Sequence, residues 1–172
     1  MSILALALLA AAAQPADWPT GPLIEGYGPH APVEATMAIP QGTVFMHSFD
    51  AAALDDNRKS ATLQSVARFI NMHAAAGIPA ADIRPAVVIH GRAVFAVVSE
   101  DRFGEQYDGA ANPNRDLVEK LLANGTRIIV CGQSAAGQDV ATADLLPGVE
   151  MALSAMTAHA LLQRQGYTIN PF

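Results

Sequence analysis

Leu121-Leu-Ala-Asn-Gly-Thr-Arg-Ile-Ile-Val-Cys-Gly-Gln-Ser134 holds a helix end, a buried strand and the turn after it in one short run. Leu121 and Leu122 close an apolar helical face, and Asn124-Gly125 is a stop, because glycine takes the left-handed conformation that ends a helix without steric cost. Arg127-Ile-Ile-Val130 carries no polar residue after its arginine, which predicts a strand covered on both faces. Cys131-Gly132-Gln133-Ser134 is a small-residue turn leading into a weak helix around Ala135. Working outward, the same grammar recurs. Ala86-Val-Val-Ile89 is a second buried strand, ended by His90-Gly91, with a short helix expected over Ala93 to Val98. Thr43 to Phe49 reads as a first strand. A helix capped by Asp55 or Asp56 follows to about Ala76, with Leu63, Val66, Ala67, Ile70 and Ala74 at helical spacing. A polar stretch runs from Glu100 to Asn114, and Pro113 sits in the first turn of a helix reaching about Ala123. Pro147-Gly148 is expected to open a long helix to Gln165, closed by Gly166, before a last strand at Tyr167 to Ile169. Strands alternating with helices at this spacing predict an α/β domain with a mostly parallel sheet and helices on both faces.

Composition narrows the function classes. The chain has 172 residues, of which 51% are hydrophobic and only 15% charged, so disorder along its length is excluded. Sixteen acids against ten bases give a net charge of -6, which argues against a nucleic-acid partner held through phosphates. A single cysteine excludes an intramolecular disulfide and any multi-cysteine metal cluster. Residues 1–13 are uncharged and apolar, and Ala11-Ala12-Ala13 fits a small-residue cleavage site. This predicts a signal peptide and a periplasmic or secreted product. The run is too short for a membrane span and holds no cysteine for a lipid anchor, so no stable membrane insertion is expected after its removal. Residues 14–42, rich in proline and glycine, read as an extended arm, and 43–172 as the folded domain.

Ligands of open parallel sheets bind beyond the carboxyl ends of the strands. Read that way, the first strand delivers His47 and Ser48, the second His90-Gly91 and the third Cys131-Gly132, with the Asn112-Pro113-Asn114 turn able to close over them. Cys131 is the leading candidate, because backbone N–H groups at a helix start stabilise a thiolate. The same position also suits an inert buried cysteine, His90 suits a histidine paired with backbone at a strand end, and strand alternation leaves the face of His47 open. Cys131, His47 and His90 lack the short paired spacing of a metal site, so neither metal nor cofactor is expected. No Gly-x-Gly-x-x-Gly follows a strand and no Gly-x-Ser-x-Gly elbow occurs, which leaves a dinucleotide site and a hydrolase unsupported. His159 is read as structural or interfacial. The expected C-terminal helix, apolar on several sides, points to a subunit interface.

Ala86 to Gly91, Asn112-Pro113-Asn114, Leu121 to Ser134 and the closing Gln165-Gly166-Tyr167, taken in order, resemble the DsrE/DsrF-like family of small sulfur-relay proteins, over about Thr43 to Phe172. The resemblance implies a three-layer α/β/α sandwich and a homotrimer or homohexamer. It also implies a persulfide on a cysteine six residues after a glycine, the relation of Cys131 to Gly125. The Ala135-Ala-Gly-Gln-Asp139 segment lacks the base that carriers place after the cysteine. Two function classes stay open. One is a sulfur carrier that accepts a sulfane sulfur on Cys131, stabilises it with the Gly132 and Gln133 amides, tunes it with His90, and meets a sulfur donor or acceptor protein. The other is a non-enzymatic oligomer of the same fold that binds a small anion or a metal; a purely structural subunit is a third possibility.

Overall fold

The computed structural model describes residues 18–170, so the expected leader and the first residues of the arm lie outside the described residues. Five strands form one all-parallel sheet: β1 (Phe45–Ala51), β2 (Ile83–Ile89), β3 (Arg127–Cys131), β4 (Glu150–Ala152) and β5 (Thr168–Ile169), in the spatial order β4-β3-β2-β1-β5. The helices are α1 (Ala61–Ala75), α2 (Glu100–Gln106), α3 (Arg115–Ala123), α4 (Gly132–Ala136) and α5 (Ala155–Arg164), and a 3-10 segment spans Gly91–Val97.

The two faces of the sheet are covered unequally. Strand alternation sends Phe49, Ala51, Val87, Ile89, Ile128 and Val130 to one face, where they form the main core with α1, α3 and the 3-10 segment. Ala86, Val88 and Ile129 point to the other face and meet Ala158 and Leu162 of α5. The result is a lopsided α/β/α sandwich in which α5 covers the second face.

Several elements differ from the sequence expectation. β1 ends two residues later, because Asp50 and Ala51 continue the parallel register opposite Val88 and Ile89. The cap of α1 is Ser60, whose hydroxyl accepts from the Leu63 amide, rather than Asp55 or Asp56. Asp55 instead accepts from the amides of Asn57 and Lys59 in a turn that holds Arg58 at a φ of 62°. The polar stretch contains α2, capped by Ser99, whose hydroxyl accepts from the Arg102 amide.

The largest correction concerns the long helix expected from Pro147. Gly148 turns the chain at a φ of 93°, and residues 150–152 pair with β3 as an edge strand. Helix α5 then starts afresh behind Ser154, whose hydroxyl accepts from the Thr157 amide. Val149 and Met151 pack on the main core, while Glu150 forms a two-point ion pair with Arg127 at 2.8 and 2.9 Å. This is strand alternation, not helical periodicity. The arm lies against α1, where buried Asn71 accepts from the Leu23 and Ile24 amides and donates to the Ile24 and Tyr27 carbonyls, seating Ile24 in the core.

Candidate functional site

Cys131 is the last residue of β3 and lies on the face covered by α5, 5% exposed. The chain leaves it straight into α4, and its neighbour in the sheet, Ala152, leads through Leu153 and Ser154 into α5. Two helix starts therefore converge on one sulfur. Burial pushes the thiol pKa up, but the Ser134 hydroxyl and the backbone of Ser134, Ala155 and Gln133 around the sulfur outweigh it and hold the thiol below its ordinary value. These surroundings favour the thiolate over the thiol.

Glycines make the convergence possible. A Cβ on Gly132 would stand 2.7 Å from the Ala152 carbonyl oxygen and 3.3 Å from that of Leu153, so only glycine lets the β3–α4 turn pass this close to β4. Gly91 has a φ of 52°, and a Cβ there would stand 2.6 Å from the Ala52 carbonyl oxygen. Its amide donates to the Ser134 hydroxyl at 3.1 Å, which orients that hydroxyl toward the sulfur. Gln133 contributes its backbone to the setting of the sulfur, and its side chain donates to the Leu153 carbonyl at 3.4 Å.

His90 follows β2 as Cys131 ends β3, each one residue past the registered pair Ile89–Val130. Both therefore lie side by side on the same face. The His90 Nε2 meets Asp50 Oδ2 at 2.8 Å, and His159 of α5 meets the other carboxylate oxygen through its own Nε2 at 2.9 Å. Burial pushes the Asp50 carboxyl up, but the hydrogen bonds from the two imidazoles, and their charge whenever they are protonated, outweigh it and keep the pKa below its ordinary value. Asp50 and His159 are outside the expected set. Asp50 is the penultimate residue of β1, past the Phe49 end that the sequence predicts, and His159 sits in α5, which starts at Ala155 rather than at Pro147.

Two expected residues lie elsewhere. His47 is in the middle of β1 and points to the α1 face, stacked on Phe69 with ring centroids 5.3 Å apart, its Nδ1 2.6 Å from the Thr168 hydroxyl. Asn112 is a buried clamp: its amide donates to the Ala96 and Val98 carbonyls at 3.1 and 3.0 Å, and its oxygen accepts from the Asn114 amide. Among the described residues no group of three or more His, Cys, Asp or Glu side chains is arranged to hold a metal ion, and no helix is long and apolar enough to cross a membrane.

This geometry can be set beside known proteins. The DsrE/DsrF-like family model matches residues 52–171. The chain belongs to the DsrE/DsrF-like family. Membership supports a protein of the sulfur-relay kind. Among solved structures, a protein of unknown function from Methanobacterium thermoautotrophicum is similar at 18% identity, with a TM-score of 0.52 over 74% of this chain and 97% of that one, a likeness of fold. No curated protein matches the sequence.

Proposed function

We propose that this member of the family carries sulfane sulfur as a persulfide on Cys131 and passes it to a partner thiol. The observation that carries the reading is the setting of the sulfur: Cys131 ends β3 directly before α4 and beside the β4 end that leads into α5, and its surroundings favour the anion. In loading, the Cys131 thiolate attacks the outer sulfur of a donor persulfide. A new S–S bond forms, the donor's S–S bond breaks, and the donor leaves as a thiolate. No cofactor enters this chemistry. The same surroundings then stabilise the sulfur anion that Cys131 becomes again when it hands its sulfur on.

The partner is a sulfur donor or acceptor protein. Leu153 and Met156, 74% and 80% exposed beside the start of α5, supply apolar contact for such a partner or for the other subunits of a homotrimer or homohexamer. The apolar run of residues 1–13, read as a signal peptide, supports a periplasmic or secreted setting for this work. Incubation of reduced protein with inorganic polysulfide, followed by intact-mass spectrometry, tests the carrier role. The expected result is a gain of one sulfur atom that dithiothreitol removes and that Cys131→Ser lacks. Reduced wild-type protein that never gains sulfur contradicts it.

A further inference from the structure

The carboxylate of Asp50 joins three elements: β1 that bears it, the end of β2 through His90, and α5 through His159. An ionised carboxylate has no proton to give, so both rings must donate to it, each through Nε2–H. For His159 the remaining nitrogen, Nδ1, lies 3.3 Å from the hydroxyl of wholly buried Ser48, from which the neutral ring accepts. His159 is thus spoken for at both nitrogens and 16% exposed, a buttress that holds Asp50 from behind. His90 differs. Its side chain is 31% exposed, Nε2 is committed to Asp50, and Nδ1 of the neutral ring keeps its lone pair at the end of β2, the strand next to the one that Cys131 ends.

We infer that Asp50 is a positioning residue: it fixes His90 in the Nε2–H tautomer and so makes His90 Nδ1 the acceptor of the proton on the thiol that takes sulfur from Cys131. The inference rests on the carrier reading. In the step it describes, the incoming thiol loses its proton to Nδ1 and attacks the outer sulfur of the Cys131 persulfide. The S–S bond to Cys131 breaks, Cys131 leaves as a thiolate favoured by its surroundings, and the acceptor departs as a persulfide. The imidazolium then gives its proton to water. Arrangements of this kind, in which a carboxylate orients an imidazole that handles the proton of a nucleophile, recur in nucleophilic catalysis.

Two measurements test it. Long-range proton–nitrogen NMR on the full-length wild-type protein reads the His90 tautomer directly. Nε2–H with unprotonated Nδ1 is expected, and the Nδ1–H tautomer overturns the inference without any variant. The second compares wild type with Asp50→Asn, whose amide accepts from only one of the two imidazoles. Persulfide loading from inorganic polysulfide is expected to be unchanged, while discharge to glutathione slows by about tenfold or more, in the range of lost general-base catalysis. Discharge at the wild-type rate overturns the inference. Failure of wild-type protein to load sulfur at all is a different result: it removes the carrier reading, and the tautomer still stands or falls by the first measurement.

Discussion

The two faces of the sheet treat the same side chain in opposite ways. On the α1 face, His73 lies 4.2 Å from the ring centroids of both Phe45 and Phe69, and His47 stacks on Phe69. Burial holds both histidines below their ordinary pKa; the neighbouring His73 pushes His47 further down, and the hydrogen bond from His73 to the Phe69 carbonyl only partly restores His73. These are neutral rings used as packing. On the α5 face, which also bears Cys131, His90 and His159 share a carboxylate. What separates the two pairs is strand parity. β1 sends odd residues to an aromatic layer and Asp50 to the other side, so His47, three residues from Asp50, belongs to a different environment. Nearness in sequence to a strand end is a weak guide to a site; the face is decisive.

Substitutions that touch one face should leave the signature of the other intact, and the largest contrast is at the sulfur. Cys131→Ser is expected to abolish sulfur loading completely while changing the melting temperature little, because the replacement is nearly isosteric; calorimetry beside mass spectrometry checks both. Next comes Asn71→Ala on the α1 side, which strands four backbone partners of the arm and is expected to cost about 2–4 kcal/mol in urea unfolding. Limited proteolysis should then cut within residues 18–42, with loading at Cys131 preserved. Gly132→Ala is smaller in stability, about 1–3 kcal/mol, since the new methyl must push β4 and α4 apart. It should also slow Cys131 alkylation by displacing the backbone around the sulfur.

The smallest effect is in pH. The pKa values of His47 and His73 are lower in the folded chain than in the unfolded one, so as pH falls the unfolded chain takes up protons first. The stability they allow is complete above about pH 6.5 and is lost as pH drops through the depressed folded values. His47→Leu should flatten that part of the stability curve, measured by urea unfolding across pH, and leave sulfur loading unchanged.

How much of this could be read beforehand varies by element. β3 and the turn after it were legible, because an apolar run between Gly125 and Gly132 leaves few conformations open. The second face was not. Glu150-Met-Ala-Leu153 has good helix formers, and only pairing with β3 makes the first three of them a strand, a tertiary override of local propensity. That hid Ser154 and with it the Ala155 backbone at the sulfur. Pro85 masked the first half of β2, though it precedes the first residue paired with β3, Ala86. Asp50 was missed because a charged residue after Phe49 looked like the end of a strand; register with Val88 carries the strand past it. The Asn112 clamp carried only the signal of a polar turn, and the carbonyls it serves come from a segment fixed by packing.

Sulfur transfer requires that Cys131, although mostly covered, be a thiolate-prone sulfur that a small reagent can reach. The rate of iodoacetamide alkylation of the native protein against pH measures this directly, with the modified residue identified by peptide mass. A single-site reaction at Cys131 is expected, with a midpoint below about 8.5, the value of a free cysteine. A native thiol that resists alkylation until the chain is unfolded, or one that titrates above that value, would contradict it.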